Sequence, residues 1–400
     1  MKIVQINAVY QYSSTGRNVS EFHDYLVTHG HESYKFYSVK NADSLTYDLI
    51  GCKIDHKIHA LGSRLWGKQG YFSYFASRKL ISKLSKLHPD AVILHNLHSN
   101  YIHYPSLLRY LAKNNIPTIV VLHDCWFFTG HCCHYTSVNC FKWRTQCEKC
   151  PLIHCDNASY FFDHTKSIFK EKQKLFSSIS RLGVVGVSEW ITSEAKKSPI
   201  FSNAKIIRRI YNWIDLKVFY PRDGTALRMK LGLKDTDFVA LGVSMSWDNK
   251  KGLDVFIELA KAFPTIVIIM IGVINNVSLP NNIINVQPTS SMNELAEYYS
   301  LADVFLNFSI QETFGKVAAE ALACGTPLIV NRSTANPELV CEDCGFIINN
   351  NDLDSIMQSI RLIQKRGKLF YKDKCVKRAN TLFEKESNLA QYLNLITDLL

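Results

Sequence analysis

The chain predicts an α/β protein built as two Rossmann-like domains, and three observations carry that prediction. Apolar runs of strand length alternate with stretches of helical period along the 400 residues. A hinge-like segment, Asn212-Trp213-Ile214-Asp215 followed by Val218-Phe219-Tyr220-Pro221, divides the series into halves of similar length. Four hundred residues also exceed what one core comfortably serves. The expected domains are residues 1–211, carrying a cysteine-rich insert at 125–155, and residues 212–385, with 386–400 crossing back to the first because 388–400 is apolar on one face.

Composition narrows the class further. A hydrophobic fraction of 47% with 20% charged residues describes well-formed cores and excludes a disordered or low-complexity chain. The start, MKIVQINAVY, lacks the apolar core and small-residue cleavage site of a secretory signal. The longest apolar run, 265–273, is strand-sized and too short to span a bilayer. A cytoplasmic protein is expected, with twelve cysteines serving as thiols or metal ligands rather than disulfides. The net charge of +11 suits anionic partners without choosing among nucleic acid, lipid headgroups and phosphorylated substrates.

Taken in order, residues 2–7 read as a first strand, 12–17 as a loop containing Gly16 and Arg17, and 19–29 as a helix. Strand, glycine-bearing loop and helix open a mononucleotide-type half, in which Arg17 is a phosphate or carboxylate contact or a solvated helix-start residue. Between residues 53 and 86, Lys53, Lys57, Arg64, Lys68, Arg78 and further lysines interleave with Trp66, Tyr71, Phe72, Tyr74 and Phe75. That surface suits an anionic membrane or an acidic acceptor, against the plainer reading of a solvated face over an ordinary core. Strands at 90–95 and 116–122 then deliver His95, His98, His103, His123 and Asp124 to the carboxyl edge of the first sheet.

The insert carries Cys132, Cys133, Cys140, Cys147 and Cys150. Cys147-x-x-Cys150 has the turn spacing that brings two thiolates to one tetrahedral metal, and Cys140 with Cys132 or Cys133 completes four ligands. A structural zinc knuckle at Cys132, Cys140, Cys147 and Cys150 is the expectation, with buried unligated thiols as its competitor. Strands at 183–188 and 205–211 close the first half. The second half runs through a strand at 238–244, a Lys251-Gly252 turn, a helix at 253–262, a strand at 265–271, a helix at 292–300 and a strand at 302–308.

The segment QETFGKVAAEALACGTP, residues 311–327, is the richest in chemistry. Glu312 and Glu320 flank a predicted helix start at Phe314, Gly315 and Lys316, where backbone N–H groups and the positive dipole end seat an anion. Its alanines combine helix propensity with small bulk, and Cys324-Gly325 ends the helix ahead of a strand at 328–330.

These residues resemble the family-4 retaining glycosyltransferases of GT-B fold, over essentially the whole chain. The resemblance rests on the Glu312-x7-Glu320 pair, the Lys251-Gly252 turn, NWID in place of the family's NGID, and SMNELAEYYSLADVFL. HDCWFFTGHC and its trailing cysteines are similar to colanic-acid-type transferases of bacterial exopolysaccharide and O-antigen assembly. The resemblance implies a nucleotide-sugar donor, UDP- or GDP-linked, and two domains facing a central cleft, with no catalytic metal. It further implies that Glu312 meets the donor sugar, that the Phe314, Gly315 and Lys316 amides meet the diphosphate, and that Glu320 holds the ribose. Lys251, aided by Lys250, would neutralise the leaving group, with Gly16 approaching it from the first domain and His123 near the sugar. Arg17 and Asp124 fall on the acceptor side. Two departures stand out: Ser244-Met245-Ser246-Trp247-Asp248, just before Lys251, contains no arginine, and Trp213 replaces the hinge glycine.

The expected function is hexosyl transfer to a lipid-linked or oligosaccharide acceptor in surface-polysaccharide synthesis, at the inner face of the cytoplasmic membrane. The alternatives are a sugar-nucleotide 2-epimerase or phosphorylase of the same fold and, from another class, a zinc-containing nucleic-acid-binding protein. Against the last, the basic residues are dispersed rather than gathered on one recognition element.

Overall fold

A computed structural model describes residues 1–39, 45, 48–155, 157–289 and 291–400. The chain divides into two compact units, Met1–Ile210 with Leu389–Leu400, and Tyr211–Asn388.

The first unit holds six parallel strands: β1 (Lys2–Ile6), β2 (Glu32–Phe36), β3 (Ala91–Leu94), β4 (Thr118–Leu122), β5 (Leu182–Gly186) and β6 (Ile206–Arg209). Their order is β2-β1-β3-β4-β5-β6. β3, β4 and β5 are buried along their whole length, as the continuous apolar runs of a sheet covered on both faces require. The helices are α1 (Ser13–Thr28), α2 (Lys53–Trp66), α3 (Tyr74–Leu87), α4 (Tyr104–Lys113), α5 (Thr165–Ser177) and α6 (Glu189–Lys196). The order reverses direction between β1 and β3, so the crevice beyond their carboxyl ends is where such a sheet takes ligands.

One local expectation is corrected. The first helix begins at Ser13, so Gly16 and Arg17 lie in its opening turns rather than in a loop before it. The turn is made earlier, at Gln11 and Ser13, both with φ near +60°. Gly16 serves close packing: a Cβ there would stand 3.2 Å from the Gln11 nitrogen and from Val9.

The second unit repeats the plan with β7 (Val239–Ser246), β8 (Val267–Val273), β9 (Ile283–Val286), β10 (Val304–Asn307), β11 (Leu328–Asn331) and β12 (Gly345–Ile348). Its order is β12-β11-β10-β7-β8-β9, all parallel, with the reversal between β7 and β10. Helices α7 (Thr225–Lys230), α8 (Leu253–Ala262), α9 (Met292–Leu301), α10 (Lys316–Ala323), α11 (Leu353–Arg366) and α12 (Lys368–Phe383) belong to this unit. The last helix, α13 (Lys385–Leu399), carries Leu389 onward into the first unit, where Tyr392 meets Phe22 with ring centroids 5.2 Å apart. Trp213 is buried, with 3% of its surface exposed.

Candidate active site

In the second unit the sequence places its charged residues at the strand-order reversal. β7 ends in a turn whose Asp248 caps the Lys251 amide, with Oδ1 accepting at 3.0 Å. Gly252 follows with φ +81°, and a Cβ there would fall 2.5 Å from Phe308 Cβ, so glycine is what lets this turn lie against the end of β10. The Ile310 amide donates to the Lys250 carbonyl at 3.0 Å, tying the two loops together. Lys251 Nζ then donates to Glu312 Oε1 at 2.5 Å, joining groups 61 residues apart. The Lys250 side chain is exposed. With the lysine 37% and the glutamate 17% exposed, the pair is worth at most about 1 kcal/mol of stability.

Helix α10 begins at Lys316, the last residue of the predicted start Phe314-Gly315-Lys316, with Gly315 as its left-handed N-cap at φ +85°. Glu312, Thr313 and Phe314 therefore belong to the loop. Phe314 is buried and meets Phe383 edge-on at 5.3 Å, which anchors that loop from below. The Ala318 and Ala319 amides bond the Gly315 carbonyl, and the start of the helix carries the positive end of its dipole, which attracts an anion. Glu320, on the second turn, is 1% exposed and accepts a 2.9 Å hydrogen bond from Tyr299 Oη. The Glu312 amide donates to Thr334 Oγ1 at 2.8 Å, and Asn336 bonds Asn307 and the Ser309 carbonyl. This polar set at the ends of β10 and β11 went unread in sequence; the run NRSTAN directly after a buried strand was its signal.

The first unit's carboxyl edge has a different character. His95, buried beyond β3, meets His123 ring to ring, with Nδ1 and Nε2 3.0 Å apart, and sits 3.3 Å from Gln5. Burial, with His123 second, holds His95 well below the usual imidazole range, so it is neutral. Asp124 lies beyond β4, 2.7 Å from His98 Nε2, and accepts from the Trp126 amide at 2.8 Å. Burial acts to raise its carboxyl; the neighbouring His98 and these hydrogen bonds outweigh it and bring the value to about 2. His98, seen in sequence only as one of a histidine cluster, is thereby Asp124's partner. His103 departs from that cluster: its ring caps α4, accepting from the Ser106 amide. Arg17 is half-buried on α1.

In the insert, Cys132, Cys140, Cys147 and Cys150 line one small cavity of about 20 Å³, together with His131, Lys142 and Trp143. Cys133 points elsewhere, with its sulfur grouped with His98 and Asp124 within 4.8 Å. A second cavity of the first unit, about 490 Å³, lies between α3 and α4 and is lined by Tyr74, Arg78, Lys86 and Tyr110. It is a groove on the basic surface, separate from the carboxyl edge.

Residues 225–380 match the family model described as "Glycosyl transferases group 1". The chain is 26% identical over 174 residues to an N-acetyl-alpha-D-glucosaminyl L-malate synthase of Bacillus anthracis, covering 40% of this chain and 45% of that protein. It thus spans about half the length of that relative. An alpha-monoglucosyldiacylglycerol synthase of Acholeplasma laidlawii is 24% identical over 347 residues, 84% of this chain and 81% of the other. The structure of a sucrose-phosphate synthase of Thermosynechococcus elongatus superposes with a TM-score of 0.71 at 16% identity, covering 100% of this chain and 98% of that one. The fold is therefore of the GT-B class, and residues 225–380 carry the group 1 glycosyl transferase match.

Proposed function

We propose that this protein transfers a hexosyl unit from a UDP- or GDP-linked sugar to a lipid-linked or oligosaccharide acceptor, with retention at the anomeric carbon, in surface-polysaccharide assembly. The observation that carries the reading is the Lys251–Glu312 pair at the strand-order reversal of the second sheet, a few residues before the start of α10. Departure of a nucleoside diphosphate builds negative charge, and Lys251, Lys250 and the amides of Gly315 and Lys316 stabilise it without a catalytic metal. Glu312, released by the phosphate from its lysine, accepts the sugar hydroxyls, and the Phe314 amide meets the diphosphate. Glu320 receives the ribose, with Tyr299 orienting its carboxylate. In the first unit, His123 is assigned to the donor sugar, Gly16 to the diphosphate, and Arg17 and Asp124 to the acceptor. Retention follows from departure and attack on one face, the leaving phosphate taking the acceptor proton.

An acceptor embedded in a membrane fits the surface of α2. Ile54, Ile58 and Leu61 recur at helical spacing and are 68%, 60% and 60% exposed, flanked by Lys53, Lys57 and Arg64. Phe75 and Phe161 are more than 70% exposed, and the Tyr160 amide bonds the Arg64 carbonyl, which joins the 160–162 aromatics to the end of α2. An apolar stripe facing outward between lysines is what an anionic membrane surface binds, and it disfavours the plain solvated face. The contact proposed is peripheral, at the cytoplasmic leaflet; among the described residues no helix is long and apolar enough to cross a membrane.

The test is a thermal-shift panel of UDP, GDP, ADP and CMP followed by turnover with the matching nucleotide sugar and NMR of the product anomer. Stabilisation by one nucleotide and a retained anomer are expected. An inverted product removes the mechanism, and indifference to all four nucleotides removes the donor site.

A further inference from the structure

We propose that Cys132, Cys140, Cys147 and Cys150 hold one zinc ion as a closed tetrahedral thiolate site that staples the insert of the first unit. Between β4 and α5 the described residues form no α-helix and no strand, only short 3-10 turns at Trp126–Phe128, Thr136–Val138 and Lys142–Arg144. Yet this segment buries Trp143, Tyr135 and Cys132. An irregular stretch of that length is uncommon in a compact domain without a device that closes it, because little of its backbone ordering is offset by regular hydrogen bonding.

Four thiols from three separated parts of the insert line the same cavity, whose volume of about 20 Å³ suits a single small guest. The protein around them is arranged as an outer shell for sulfur. The Gly130 amide donates to Cys147 Sγ at 3.3 Å, and the Leu152 amide is directed at the Cys150 sulfur. Lys142 Nζ donates to the carbonyls of Glu148 and Lys149, at 3.0 and 3.1 Å, pinning the x-x of the Cys147-x-x-Cys150 turn. Asp163 accepts from the Cys150 amide and from Thr165, fastening the turn to the start of α5.

Soft sulfur ligands at this spacing select zinc among common divalent ions. Binding exchanges four thiol protons for one dication and leaves the site with a net charge of −2, beside Lys142, which lines the cavity, and Lys172. Meeting one ion requires the four sulfurs to close in, since no three of them lie within 4.8 Å of one another. The tighter grouping of His98, Asp124 and Cys133 is a weaker candidate, because its imidazole and carboxylate are already bonded to each other. Closing the insert has a consequence for the sheet edge. The Cys125 amide donates to the Cys133 carbonyl, next in chain to Cys132, so the staple braces the backbone that presents Asp124.

The experiment is metal analysis and zinc K-edge absorption of the full chain purified under reducing conditions from zinc-sufficient medium. About one zinc per chain in a shell of four sulfurs near 2.3 Å is expected. A Cys155→Ser control, at an exposed thiol outside the cavity, keeps the metal, and Cys147→Ser with Cys150→Ser loses it. Where the double variant fails to accumulate, Co²⁺ substitution of the unaltered protein reads the same ligands through its thiolate charge-transfer bands. Absence of bound zinc with the four thiols reduced overturns the proposal, as does a shell containing nitrogen, which would assign His131 in place of a cysteine.

Discussion

The two sheets end in edges of different character, although both reverse strand order in the same way. The second unit offers Lys251 and Glu312, partly exposed and bonded to each other, near the start of α10. The first offers a neutral His95 stacked on His123 and a buried Asp124 held by His98. The former edge is suited to an anion that competes for the lysine. The latter is suited to hydroxyl groups, which need oriented acceptors and donors rather than a free cation. One folding plan thus yields two sheet edges whose side chains differ past the strand ends.

The largest effect should come from the charged edge. Lys251→Ala and Glu312→Ala are each expected to lower kcat/KM by about 10²–10³ in steady-state transfer assays, with unfolding midpoints nearly unchanged. If instead both variants lost stability and kept activity, the edge would be structural and the contrast would collapse. Gly252→Ala comes next: its φ of +81° and the 2.5 Å approach to Phe308 predict a loss of about 1–3 kcal/mol in urea unfolding, with activity falling through the displaced Lys251.

The histidine-bearing edge should respond to acid rather than to phosphate. Asp124 is depressed to about 2 in the folded chain against roughly 3.9 when unfolded. Its stabilisation is therefore present above about pH 4 and is lost as pH falls toward 2. Asp124→Asn should cost about 1–3 kcal/mol at neutral pH and flatten the acid limb of the urea midpoint between about pH 4 and 2. An unchanged acid limb would show that His98 does not hold the carboxylate. The smallest effect is expected for Tyr299→Phe, about 1 kcal/mol of stability with a weaker nucleotide affinity in calorimetry, since only one hydrogen bond to Glu320 is removed.

How much was legible in sequence differs between these regions for a physical reason. The central strands announce themselves because burial on both faces demands continuous apolar runs, as in 91–94 and 328–330. The edge strands β2, β9 and β12 went unread: ESYKF, IINV and GFII are short or half-exposed and carry weak patterns. The start of α1 was misplaced because Tyr12, its N-cap, makes no side-chain capping bond and gives no signal. On α2, the lysines were visible but the outward direction of Ile54, Ile58 and Leu61 was not, since period alone does not say which face meets the core.

The sequence by itself determined the α/β class, the repeated strand-helix plan and the residue types clustered at Lys251-Gly252 and in residues 311–327. These depend on periodicity, glycine and residue type within a few positions, all of which are local. Only tertiary structure decided that Lys251 reaches Glu312 across 61 residues, that Asp124 belongs to His98, and that four cysteines rather than Cys133 share a cavity. Those pairings are set by strand order and by how loops pack beyond the sheet, and strand order is a property of the whole chain rather than of any window within it.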